Sequence, residues 1–148
     1  MTLNYFFNKL KEKSPAWVGL LEKCNFFKYP PEPEYDSDTK LTYYSLWSAS
    51  RYLAHVSLLK AFDPAEIFRV VQSIPKTRNT RVHIDLIDCA INFPPKYAKE
   101  FVEEAEEWLN LPFQHFFPEK LASLIIHLSE GEEIDKAIQL TRTLFEVL

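Results

Sequence analysis

The stretch LAHVSLLKAFDPAEIFRVVQSI, Leu53 to Ile74, is echoed 31 residues later by IDLIDCAINFPPKYAKEFVEEA, Ile84 to Ala105. Each carries a proline-marked break between two apolar runs, Phe62-Asp63-Pro64 in the first and Phe93-Pro94-Pro95 in the second. The apolar positions correspond in register: Leu53 with Ile84, Val56 with Ile87, Leu59 with Ala90, Ile67 with Ala98, Val70 with Phe101, Val71 with Val102, Ile74 with Ala105. Within each run they recur at helical spacing. This is a helix, a sharp turn and a second helix, written twice. Such a unit cannot bury its apolar face alone, so repeated units stack into an α-solenoid.

Outward from that core, the pattern continues. Ser14-Pro15 is an N-cap followed by proline at the first helical position. Trp17, Leu20, Leu21, Cys24 and Phe27 then predict a helix to about Phe27. Leu3 to Lys11 reads as a short helix before it. Lys28 to Lys40, with Pro30, Pro31 and Pro33, reads as an extended loop. Leu41 to Ala61 reads as helix, bent near Ser48 and Ser50. Asp63 caps and Pro64 opens a helix that ends near Ile74, where Pro75 stops it. Helices over Val82 to Asn92 and Lys96 to Leu109 follow, then an irregular aromatic stretch from Asn110 to Phe117. Pro118 opens another helix, and Gly131 separates it from a last one through Leu148.

The expected fold is therefore all-α: a right-handed α-α superhelix of about three helix pairs plus an N-terminal helix, with residues 1–148 as a single domain. Leu53, Val56, Leu59, Ile67, Val70, Val71, Ile84, Ile87, Phe101, Val102 and Trp108 should form its core. Only two glycines occur, which leaves little for tight β-turns, and the ten prolines cluster at helix starts and in one loop. The chain reads through to Phe145-Glu146-Val147-Leu148 with no polar cap. A terminal solenoid repeat should have one, so the segment is expected to open a longer protein or to meet a partner at that end.

The helix pairs from Leu41 to Leu148 resemble HEAT/armadillo-type repeats. Ser14-Pro15-Ala16-Trp17, Phe26-Phe27, Pro30-Pro31-Glu32-Pro33 and Trp47-Ser48-Ala49-Ser50-Arg51-Tyr52-Leu53 are similar to the start of large bacterial helical-repeat proteins of unknown function. The resemblance implies a non-catalytic N-terminal module and assigns no functional residue.

Chemistry is sparse. The net charge of −4 disfavours general nucleic-acid binding, which rests on Lys and Arg. No stretch reaches the ~20 apolar residues of a membrane span, so a soluble cytoplasmic protein is expected. Cys24 and Cys89 sit in apolar runs and read as buried free thiols, which suits a reducing compartment. Asp85 and Asp88 share a helix face, while His83 points elsewhere and reads as solvated surface. His55 and His127 read as isolated, partly buried imidazoles. No His-x-x-x-His or Cys-x-x-Cys pair suggests zinc, and no glycine-rich phosphate loop is present, so no metal, cofactor or catalytic residue is assigned. The run Glu100, Glu103, Glu104, Glu106 and Glu107 reads as the wet face of a surface helix.

Two features stand out as interaction candidates. Lys76, Arg78 and Arg81 form a basic loop cluster, with Arg69 and Lys60 nearby, which reads first as a solvated loop and otherwise as a contact for phosphate or an acidic partner. The Pro-rich loop at 28–40 favours polyproline II, which aromatic grooves can bind, but it reads first as a spacer packed over the first helices through Tyr29 and Tyr35. The second helix of each pair is taken to build a concave face presenting Arg69 and Glu66. The function expected is a protein-interaction scaffold, not an enzyme, whose partner is another protein or the rest of a longer chain. The alternatives are a nucleic-acid-binding HEAT-like module using the basic loop, a class that includes HEAT-like DNA glycosylases with their concave basic face, or the regulatory N-terminal segment of a larger enzyme.

Overall fold

A computed structural model describes residues 14–59, 62–111 and 117–147. The expected helix over Leu3 to Lys11, Lys60, and most of the Asn110 to Phe117 stretch lie outside them. The described chain is predominantly helical. A 3₁₀ turn, Ser14–Trp17, leads into α1 (Val18–Lys23), and a hairpin of β1 (Glu34–Asp36) and β2 (Leu41–Tyr43) follows. Then come α2 (Ser48–Val56), α3 (Pro64–Gln72), α4 (Thr80–Asn92) and α5 (Pro95–Ala98). A 3₁₀ turn, Lys99–Phe101, joins α5 to α6 (Val102–Leu109), and α7 (Phe117–Glu130) and α8 (Ile134–Val147) complete the order. None of the described helices is long and apolar enough to cross a membrane.

Local chemistry sets the boundaries. The Asp63 carboxylate accepts from the Ala65 amide at 3.0 Å, with Pro64 inside the first turn of α3. Phe93, forced into extended backbone by the proline after it (φ −76°, ψ 155°), ends α4. Gly131 is required for space. A Cβ there would lie 2.1 Å from Cγ of Pro95, so the α7–α8 turn packs directly on the start of α5. The left-handed residue of that turn is Glu132 (φ 65°), and the Glu133 amide donates back to the Leu128 carbonyl at 2.9 Å.

The helices pack in two rows. In one, α2 lies on α4 and α4 on α7. Ser50 donates to Asp85 (2.6 Å), Asn92 to Ser57 (3.1 Å) and Lys120 to Asp88 (2.5 Å). These pairs are separated by 35, 35 and 32 residues, close to the offset read in the sequence. In the other row, Phe68 of α3 stacks on Tyr97 of α5 at 4.8 Å, and α6 packs on α8. Between the rows, Phe93 is enclosed by Phe62, Phe68 and Phe101. Of the expected core, Leu53, Val56, Ile67, Val70, Val71, Ile87, Phe101, Val102 and Trp108 are buried. Ile84 is partly buried against them, and Leu59 is only half-buried.

Several expectations are corrected. The helix foreseen over Leu41 to Ala61 begins only at Ser48, because Leu41, Thr42 and Tyr43 are claimed by strand pairing with Asp36, Tyr35 and Glu34. Asp36 closes the hairpin turn. Its carboxylate accepts from the Asp38 amide (2.9 Å) and the Thr39 hydroxyl (2.8 Å), and Lys40 takes φ 57°. The first helix stops at Lys23, ahead of the left-handed Asn25 (φ 58°), so Cys24 is exposed. The acidic run is an inter-helix seam. Glu103 pairs with Lys136, and Glu106 accepts from Gln139 (3.0 Å) and Thr143 (2.5 Å).

Candidate functional site

The two interaction candidates, far apart in sequence, meet in the fold. The hinge is Asn79, fully buried in the loop before α4. Its side-chain oxygen accepts from the Arg81 amide at 3.0 Å and so caps α4. Its Nδ2 donates to the carbonyls of Pro31 (3.1 Å) and Ser45 (2.8 Å), one on each side of the hairpin. The Thr77 hydroxyl donates to the same Pro31 carbonyl at 3.1 Å, and the Arg78 amide donates to Oε2 of Glu32 at 3.2 Å. Prolines keep the 30–33 segment extended, which leaves its carbonyls facing outward for such donors. The segment is thus fastened through Pro31 and Glu32. Tyr29 and Tyr35, the expected packing residues of a spacer, are 71% and 66% exposed.

The four basic residues divide. Arg69 makes a two-point pair with Glu22 of α1 at 2.8 and 2.7 Å, so it anchors α1 and does not present itself on an open face. The hydrogen bonds from Arg69 hold the Glu22 carboxyl below its ordinary range. Lys76 pairs with Glu107 at 2.9 Å. Arg81 and Arg78 are exposed, and neither has an ion-pair partner among the described residues. Arg78 lines a pocket of about 270 Å³ with Glu32, Pro33, Tyr35, Thr42 and Tyr44.

A second concave region runs across α2, α4 and α7. It is a groove of about 370 Å³ lined by Arg51, His55, Leu58, Asp85, Asp88 and Lys120. Asp85 and Asp88 share this face, as their spacing predicts. Burial pushes the Asp85 carboxyl up to about 6, against the opposing pull of the Ser50 hydroxyl and the Arg51 charge. The sequence carried no signal for this, because Ser50 lies on α2, 35 residues away.

His83 overturns the expectation of a solvated surface. It is 1% exposed and stacks on Trp108, with centroids 4.5 Å apart and rings 8° from parallel. Its Nε2 lies 2.8 Å from the Thr77 carbonyl, which only accepts, so Nε2 carries the hydrogen and Nδ1 is a bare acceptor. Burial pushes the imidazole down to about 4. Nδ1 has no partner among the described residues. His55 and His127 are partly buried, and the Nε2 of His127 lies 2.7 Å from the Phe93 carbonyl. Cys89 is buried, and desolvation drives its thiol strongly upward, away from the reactive thiolate. Among the described residues, no three His, Cys, Asp or Glu side chains converge on a point that would hold a metal ion.

No protein-family model, no curated protein and no solved structure matches this chain.

Proposed function

We propose that this chain is a non-catalytic interaction module of HEAT/armadillo-like type, an α-α superhelix in which the stacked helix pairs carry a docking platform. The platform is the end where the hairpin, the Pro-rich segment and the 75–79 loop meet. One observation carries the reading. A buried asparagine, a threonine and a backbone amide fasten an otherwise marginal two-stranded hairpin to the helices, while its aromatic side chains stay outside. An isolated hairpin of this size would not hold its shape in water. Held in place, it presents Tyr35, Leu41 and Tyr43, each at least half exposed, beside Tyr29 and Leu46. Tyr35 borders the small pocket, while Leu41 and Tyr43 project from the other face of the hairpin, so both faces offer exposed apolar rings and chains of the kind found at protein-binding hot spots.

The test is affinity capture from source lysate, with and without nuclease, comparing wild type with the double variant Tyr35→Ser/Tyr43→Ser. Both side chains are exposed, so the variant keeps the helical core. A protein captured after nuclease treatment and lost with the variant supports the reading. A nuclease-sensitive catch, or one indifferent to both tyrosines, overturns it.

A further inference from the structure

Resting on that docking reading, we infer that the pocket around Arg78 receives a carboxylate side chain from an extended acidic peptide of the partner. The cation is the first reason. Arg69 and Lys76 are neutralised inside the chain, whereas the Arg78 guanidinium has no ion-pair partner among the described residues and stands at a concave surface. A guanidinium offers two parallel N–H donors, matched to the two oxygens of a carboxylate. The rest of the lining suits the same group. Thr42 and Tyr35 bring hydroxyls, and Pro33 and Leu111 with the tyrosine rings form a wall for the methylenes of an acidic side chain.

Size and charge narrow the ligand. At about 270 Å³ the pocket falls below the roughly 300–1,000 Å³ typical of small-molecule sites, and it suits one inserted side chain. Glu32 argues against phosphate. Its carboxylate is fixed in the wall, accepting from the Arg78 amide, so a second negative charge meets one anion already in place. A monoanion sharing one guanidinium is tolerated there better than a dianion. The frame is also set beforehand: Thr77, Arg78 and Asn79 each hold the Pro-rich segment or the hairpin by a hydrogen bond. Little ordering is left for the moment of binding.

The experiment follows the side-chain Nε–Hε signal of Arg78 by NMR in the full chain, assigned by its disappearance in Arg78→Lys. Three probes are titrated: acetyl-Val-Glu-Val-amide, its Val-Gln-Val counterpart, and inorganic phosphate. The account expects a saturating shift with the glutamate peptide and affinity about tenfold or more weaker with the glutamine peptide, since the charge-assisted pair is lost. Glu32→Gln, an exposed and conservative change, should let phosphate bind where it does not in wild type. Equal response to the two peptides, phosphate binding wild type as well as the glutamate peptide, or a silent Arg78 at millimolar peptide overturns the inference. The two readings fail separately. If Arg78 is silent while Tyr35→Ser/Tyr43→Ser still abolishes capture, the platform stands and the carboxylate assignment falls. If Arg78 responds and capture ignores the tyrosines, the carboxylate chemistry stands and protein docking falls.

Discussion

The stacked helices and the hairpin end are held together by opposite means. The row α2–α4–α7 and the row of α3, α5, α6 and α8 rest on buried apolar side chains, with Phe93, Phe101, Leu53 and Ile87 almost wholly enclosed. The hairpin end buries little of its own. Leu41, Tyr43 and Tyr35 are exposed, and the attachment runs through hydrogen bonds centred on Asn79. Area burial is additive and forgiving, whereas a buried polar hinge is satisfied as a whole or not at all. The helices should therefore fail together, and the hairpin should be able to detach while they remain.

Phe93→Ala is the largest expected break. It empties the centre of an aromatic cluster and should lower stability by about 3–5 kcal/mol, read as a global shift in urea unfolding with the hairpin lost alongside the helices. Next is the pH behaviour of α4, which buries a titratable group on each side. Asp85 titrates near 6 in the fold against about 3.8 unfolded, so it costs stability above pH 6, and the cost is relieved as pH falls toward 3.8. His83 runs the other way. Near 4 in the fold and about 6.5 unfolded, it is neutral in both states above pH 6.5, and stability is lost as pH falls from there toward 4. The two offset each other over that window. Asp85→Asn should therefore be more stable than wild type above pH 6 by up to about 3 kcal/mol, the advantage vanishing near pH 4. A difference curve that is flat, or largest at acid pH, would show that Asp85 is not held in a desolvated site.

Asn79→Ala separates the regions. It removes a helix cap and two further hydrogen bonds, for about 2 kcal/mol. Amide exchange in 34–43 should accelerate well beyond that in α7 and α8. Uniform acceleration would mean that the hairpin and helices are one cooperative unit. The smallest effect is that of Asp36→Ala. Its carboxyl, held below the usual range by the Thr39 hydroxyl and the Asp38 amide, organises an exposed turn. Hairpin amides should lose protection with no measurable change in the unfolding midpoint.

What was legible in the sequence follows the same division. Helix pairs announce themselves locally, through Asp63-Pro64, Phe93-Pro94-Pro95 and the apolar register between them. The 31-residue offset reappears as side-chain pairs such as Lys76 with Glu107. The hairpin was hidden because Leu41, Thr42 and Tyr43 sit among residues that also fit a helix, and only pairing with residues 34–36 decides the matter. His83 looked solvated because the ring that covers it, Trp108, lies 25 residues on, in the second helix of the same pair. Arg78 and Pro31 were each visible as candidates, but their meeting depends on an asparagine whose side chain reaches across the fold.

Photo-cross-linking in the source cells shows whether the hairpin end or the helix rows meet a protein partner. p-Benzoylphenylalanine is placed at position 35, on the hairpin, or at position 58, an equally exposed site (66%) on the groove of the helix rows. A protein adduct is expected from position 35 and none from position 58. An adduct from position 58 alone, or from neither, would contradict the docking reading.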